Sequence, residues 1–106
     1  MARISIHILD IARGKPAAGI VVELYKGLEL LQQVKTNADG RTDAPLLEGA
    51  AIESGAYDLH FRVGDYLPPP AFYQVIVISF VVSDEHANYH VPLLLAPHGY
   101  STYRGS

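Results

Sequence analysis

The sequence predicts an all-β sandwich of eight strands with at most one short helical turn, and three observations carry that prediction. Runs rich in Val, Ile, Leu, Tyr and Phe recur at short intervals, and clusters of turn-forming residues separate them. Several runs also alternate apolar and polar side chains with the period of two that an extended chain produces. At 106 residues the chain has the size of one domain, here 1–106, and can bury a real core.

The first strand, over 3–9, is the clearest. Ile4, Ile6 and Ile8 fall together on the core face, leaving Arg3, Ser5, His7 and Leu9 on the outer one. Arg13-Gly14-Lys15-Pro16 then turns the chain, and Lys26-Gly27 separates strands over 20–26 and 29–36. Asn37-Ala38-Asp39-Gly40 follows, a cluster of residues that accept positive φ. A very short fourth strand, over 44–47, precedes residues 48–55, whose composition allows one helical turn. The strand over 56–63 places Tyr57, Leu59, Phe61 and Val63 inward and Asp58, His60 and Arg62 outward.

After Pro68-Pro69-Pro70, the strand over 74–83 breaks the half-buried pattern, because residues 75–82 are apolar on both faces. An uncovered β-prone stretch of this kind invites aggregation, and burial against another subunit removes the hazard, so a homo-oligomer is expected. The seventh strand, over 89–96, sets Val91, Leu93 and Leu95 on the core face against Asn88, His90, Pro92 and Leu94. His90 therefore projects outward, as His7 does. Pro97-His98-Gly99 leads into the last strand, over 99–103.

Composition excludes several functions. A net charge of −3 with no Lys/Arg cluster lacks the electrostatic footprint of a nucleic-acid binder. No apolar run approaches the roughly 18 residues of a membrane span, and the start lacks the apolar region of a secretory leader, so a cytoplasmic address is the default. Without cysteine there is no disulfide, thiolate ligand or thiol nucleophile. The five histidines show no metal-ligand spacing, and no nucleophile elbow or phosphate-cradling loop is present. No metal or other cofactor is called for, and water is the expected nucleophile.

Four stretches carry a family likeness: His7-Ile8-Leu9-Asp10 with Gly14-Lys15-Pro16-Ala17, Asn37 to Thr42, Tyr89 to Leu95, and Gly99 to Ser106. In these the chain resembles the transthyretin-like proteins, and among them the 5-hydroxyisourate hydrolases of urate (purine) degradation. The terminal Tyr103-Arg104-Gly105-Ser106 is the most specific element, since it separates the hydrolases from the hormone-carrying transthyretins. The resemblance implies a sandwich of two four-stranded sheets and a homotetramer, a dimer of dimers with a central channel. The first and seventh strands would be neighbours whose outer faces line that channel.

It further implies a small-molecule substrate, 5-hydroxyisourate, opened by water to 2-oxo-4-hydroxy-4-carboxy-5-ureidoimidazoline. The catalytic residues expected by that likeness are His7, Arg41, His90 and Ser106, and the substrate-binding ones His7, Arg41, Tyr103 and Arg104. Opening a cyclic acyl–nitrogen bond needs an activated water, oxyanion stabilisation and protonation of the departing nitrogen. An imidazole with an ordinary pKa of about 6.5 suits the first and last, and His7 is the leading base. His90 would orient the water, polarise His7 or act as the acid. Arg41 is the oxyanion and anchoring group, Tyr103 hydrogen-bonds or stacks on the heterocycle, and Ser106 holds the water through its hydroxyl or a terminal carboxylate. Arg104 contacts substrate or anchors the tail.

Taken singly, His7 and His90 read as solvated strand residues and Arg41 as half of a surface ion pair with Asp39 or Asp43. His60 and His86 stay with solvent, and His98 shapes the pocket mouth. The hydrolases carry a longer stretch with a helical turn where this chain has only Leu67-Pro68-Pro69-Pro70-Ala71, so that helix is expected to be shortened or lost. The alternative function is a carrier of small aromatic ligands in the same inter-subunit channel, for which two outward imidazoles, Arg41 and the polar tail would be unnecessary.

Overall fold

The computed structural model describes residues 2–106 as two β-sheets packed face to face. In chain order the strands are β1 (Arg3–Asp10), β2 (Lys15–Pro16), β3 (Val21–Lys26), β4 (Glu29–Lys35), β5 (Leu47–Glu48), β6 (Gly55–Arg62), β7 (Ile76–Val82), β8 (Asn88–Ala96) and β9 (Gly99–Thr102). A 3-10 turn at Gly49–Ala51 lies where one helical turn is expected. No helix among the described residues is long and apolar enough to cross a membrane.

One sheet runs β2-β1-β8-β9 with β5 also paired to β1, and the other runs β4-β3-β6-β7. The eight expected strands are all present, with two differences. The fourth shrinks to the two residues Leu47–Glu48, and Lys15–Pro16, expected within a turn, forms an additional two-residue strand. The first sheet therefore has five strands rather than four. Such a short strand has no room for an alternating pattern, so it exists only through its pairing with Leu9 and Asp10.

The face assignments hold. Ile4, Ile6 and Ile8 of β1 and Leu93 and Leu95 of β8 meet Val22 and Leu24 of β3 and Leu59 and Phe61 of β6 in the buried core. Each such side chain contributes about 1.5–3 kcal/mol when fully buried. Tyr57 joins them with its polar tip satisfied, since its hydroxyl donates to the Glu53 carbonyl at 2.7 Å and accepts the Glu53 N–H at 3.1 Å. Between β6 and β7 no helix forms. That segment is instead tied to the end of β1, where the Tyr66 hydroxyl donates to the buried Asp10 carboxylate at 2.7 Å.

β7 is an edge strand, and it keeps its two-sided apolar character. Ile76 and Val82 are buried, while Val77 and Val81 are 48% and 64% exposed. β1, by contrast, has partners along most of its outer edge. β5 covers one end, β2 the other, and between them the Ile8 N–H donates to the Gly40 carbonyl at 2.8 Å.

What positions the outer face is the parallel pairing of β1 with β8, strands from opposite ends of the sequence. Its register sets Arg3 beside Asn88, Ser5 beside His90 and His7 beside Pro92. On the other side of β8, β9 pairs from Gly99 to Thr102 and then stops. The next residue faces Pro92, which has no N–H to give. Gly105 resumes the same register, donating its N–H to the His90 carbonyl at 2.8 Å.

Candidate active site

Alternation along β1 and β8 turns Ser5, His7 and His90 to the outer face, where all three are half-buried. A cavity of about 290 Å³ opens there, lined among others by Arg3, Ser5, Arg41, Asp43, His90 and Ser106. His7 stands beside it, one outward position beyond Ser5 on the same strand.

The turn after β4 brings Arg41 to this place. Asn37 builds it: its side-chain oxygen accepts the N–H groups of Asp39 at 2.9 Å and Arg41 at 3.2 Å, and its N–H donates to the Arg41 carbonyl at 2.7 Å. Gly40 closes the turn at φ +72°, in the left-handed region that side chains resist. The same turn holds His7, whose Nε2 lies 3.0 Å from the Asp39 carbonyl oxygen. A carbonyl only accepts, so Nε2 carries the proton and Nδ1 holds the lone pair of the neutral ring.

Arg41 does not form the surface ion pair that its acidic neighbours suggest. The ion pairs among the described residues are Lys26–Glu53 and Glu23–Arg62, and Asp43 instead accepts from the Asn37 amide at 3.0 Å. The guanidinium thus keeps its donors for the cavity. Its charge also acts on both imidazoles. His7 is pushed below its ordinary pKa by burial and then by Arg41, against a smaller opposing pull from Asp39. His90 is lowered by burial first, then by Arg41, His7 and Arg3. Both rings are therefore more fully neutral near pH 7 than a free histidine, which is the state that can accept a proton.

The tail divides between two places. Ser106 lines the cavity with His90 and Arg41. Tyr103 and Arg104 line a smaller, mostly apolar neighbour of about 160 Å³ that shares the His90 wall and includes Phe80 and Val81 of the second sheet. There the Arg104 guanidinium sits 4.4 Å from the centre of the Tyr89 ring and donates to the Asn88 carbonyl at 3.1 Å. His98 stands apart from both, against Phe72. Among the described residues no group of three or more His, Cys, Asp or Glu side chains is placed to hold a metal ion.

Sequence reasoning passed over Ser5 and Arg3 as site residues. Alternation puts them on the correct face, but only the β1–β8 register shows that Ser5 lies beside His90.

The model of the HIUase/Transthyretin family matches residues 4–105, nearly the whole chain. The chain belongs to that family. A 5-hydroxyisourate hydrolase of Ralstonia nicotianae is 49% identical over 117 aligned positions that cover 100% of both chains. That alignment is longer than this 106-residue chain, so the relative carries residues that this family member lacks. The solved structure of Klebsiella pneumoniae 5-hydroxyisourate hydrolase superposes with a TM-score of 0.88 at 38% identity, covering 100% of each chain. Sea bream transthyretin, solved in complex with thyroxine, reaches the same TM-score of 0.88 at 23% identity over 97% of this chain and 94% of its own, a likeness of fold alone.

Proposed function

We propose that this protein is a 5-hydroxyisourate hydrolase, an enzyme that opens its cyclic substrate with water to give 2-oxo-4-hydroxy-4-carboxy-5-ureidoimidazoline. The observation that carries the proposal is the outer-face cavity where His90, Arg41 and Ser106 converge with His7 alongside. The names and full-length similarity of the Ralstonia and Klebsiella proteins point to the same reaction.

In the mechanism, neutral His7 takes a proton from the attacking water at Nδ1, the nitrogen left free by the Asp39 carbonyl. The water oxygen forms a bond to the ring carbonyl carbon, and the C–N bond breaks. The departing nitrogen takes up one proton, so no proton is consumed overall. Arg41, with paired donors and no carboxylate partner, stabilises the oxyanion that forms on the way. Ser106 and His90, which line the same cavity as Arg41, hold the water. Tyr103 reaches the substrate across the shared His90 wall, while Arg104, stacked on Tyr89, holds the tail.

The active assembly is a homotetramer in which the apolar edge of β7 is covered by another subunit, and it works in the cytoplasm. A carrier of apolar ligands would leave the two neutral imidazoles and the unpaired guanidinium without a purpose.

The test is to generate 5-hydroxyisourate freshly and follow its absorbance decay, correcting for spontaneous hydrolysis. Wild-type protein accelerates the decay, and His7→Ala loses at least about 10²-fold of that acceleration, the low end for removing a general base. Equal decay with and without wild-type protein would overturn the hydrolase assignment.

A further inference from the structure

We propose that Ser5 and Gly105 are positioning residues that clamp the His90 ring from its two sides, so that Nδ1–H is held by the Ser5 hydroxyl and the Nε2 lone pair faces the cavity. This rests on the hydrolase reading for its consequence, but not for its geometry. β8 lies between β1 and the tail, and the residues directly opposite His90 in register are Ser5 on one side and Gly105 on the other. The Ser5 hydroxyl stands 2.9 Å from His90 Nδ1. At the other edge of the ring, a Cβ built on Gly105 would lie 2.6 Å from His90 Cδ2 and 3.3 Å from Pro92 Cγ. No side chain fits there, so the main chain of the tail packs directly against the imidazole.

With Nδ1 engaged, Nε2 is the nitrogen left for the cavity that His90 shares with Arg41 and Ser106. The hydroxyl can donate or accept, and in the proposed arrangement it accepts from Nδ1. With the proton on Nδ1, Nε2 is an acceptor able to orient the attacking water. A ring free of this clamp would favour the other tautomer and turn away its acceptor.

Among the charged and titratable groups facing His90 are Arg3 and His7 from β1, Arg41 and Asp43 from the turn after β4, and Tyr103 and Arg104 from the tail. β7 faces it with Ile78, Phe80 and Val81, none of which ionises. None of these groups is altered by Ser5→Ala, Ser5→Thr or Gly105→Ala.

Two measurements test the clamp. Long-range proton–nitrogen NMR of labelled protein, with His90 assigned by its loss in His90→Gln, reports the tautomer without any substrate. The expected result is Nδ1–H in wild type and Ser5→Thr, and a shift toward Nε2–H in Ser5→Ala. Turnover of 5-hydroxyisourate should show kcat falling about tenfold in Ser5→Ala, the effect of one hydrogen bond, with KM unchanged and with recovery in Ser5→Thr. Gly105→Ala, which presses a methyl group against the other edge of the His90 ring, should lose kcat to at least the same extent. An Nε2–H tautomer in wild type would overturn the proposal. So would a Ser5→Ala variant that raises KM while keeping kcat, since Ser5 would then be a substrate ligand. Full kcat in Gly105→Ala would overturn the share assigned to the tail. If wild type fails to turn over 5-hydroxyisourate, the hydrolase reading fails, while the NMR result still decides the clamp.

Discussion

Replacing Gly40 by alanine should damage stability and catalysis together, because one turn serves both. The residue sits at φ +72°, where a side chain costs about 1–2 kcal/mol. An added Cβ would also run into the Ile8 carbonyl oxygen and lie 3.2 Å from Pro16 Cβ and 3.3 Å from the Ala17 nitrogen. Ile8 belongs to a central strand and cannot retreat, so the turn must move instead. Its movement forfeits the 2.8 Å bond from the Ile8 N–H to the Gly40 carbonyl, worth about 0.5–1.5 kcal/mol net. The expected loss is therefore about 2–3 kcal/mol, read as a lower urea midpoint at fixed protein concentration. Asp39 and Arg41 flank the glycine, so the folded fraction should also lose at least about tenfold in turnover as His7 and the guanidinium shift. Gly27→Ala is the control. Its φ of +62° carries the same conformational penalty, but nothing lies within 4 Å of the added Cβ. A Gly40→Ala protein no less stable than Gly27→Ala, with normal turnover, would refute the view that this turn is wedged against β1 to fix the site.

Two other outcomes follow from the same geometry. Burial and Arg41 hold His7 and His90 below the ordinary value of 6.5, so the acid limb of kcat/KM should have its midpoint on the acid side of that value. Arg41→Ala removes a cation common to both rings and should move the acid limb to higher pH; an unmoved limb would show that the charge does not reach them. The unfolded chain binds these protons more tightly than the folded one, so stability is full above the ordinary value and declines as pH falls through the depressed folded values. On β7, Val77→Lys with Val81→Lys places two charges on the exposed apolar edge and should dissociate the proposed assembly, as measured by sedimentation against wild type; an unchanged oligomer would remove β7 from the proposed interface.

The alternation in 3–9 and 89–96 is enough to send His7 and His90 outward, because a β-strand points successive side chains to opposite faces whatever its partners are. The same rule marks Ile4, Ile6 and Ile8 as core, and the buried cluster contains all three. It fails at Lys15–Pro16, where two residues form a strand through pairing alone, and it misplaces the brief strand now at Leu47–Glu48. Arg41 was legible as a candidate through its neighbours in Asn37 to Thr42. Its freedom from Asp39 and Asp43 was not, because Asn37 takes the carboxylate that proximity in sequence assigns to Arg41.

Local chemistry in the chain thus determined the long strands, their buried faces and the family to which the protein belongs, since each depends on residues close together in sequence. Tertiary structure alone decided which outward residues meet. The parallel register of β1 and β8 sets Ser5 against His90 across 85 positions of sequence, and the returning tail brings Gly105 to the ring's other side. Register between distant strands is fixed by the fit of the whole core rather than by any local pattern, so the contacts that orient the site appear only once the sheet has closed.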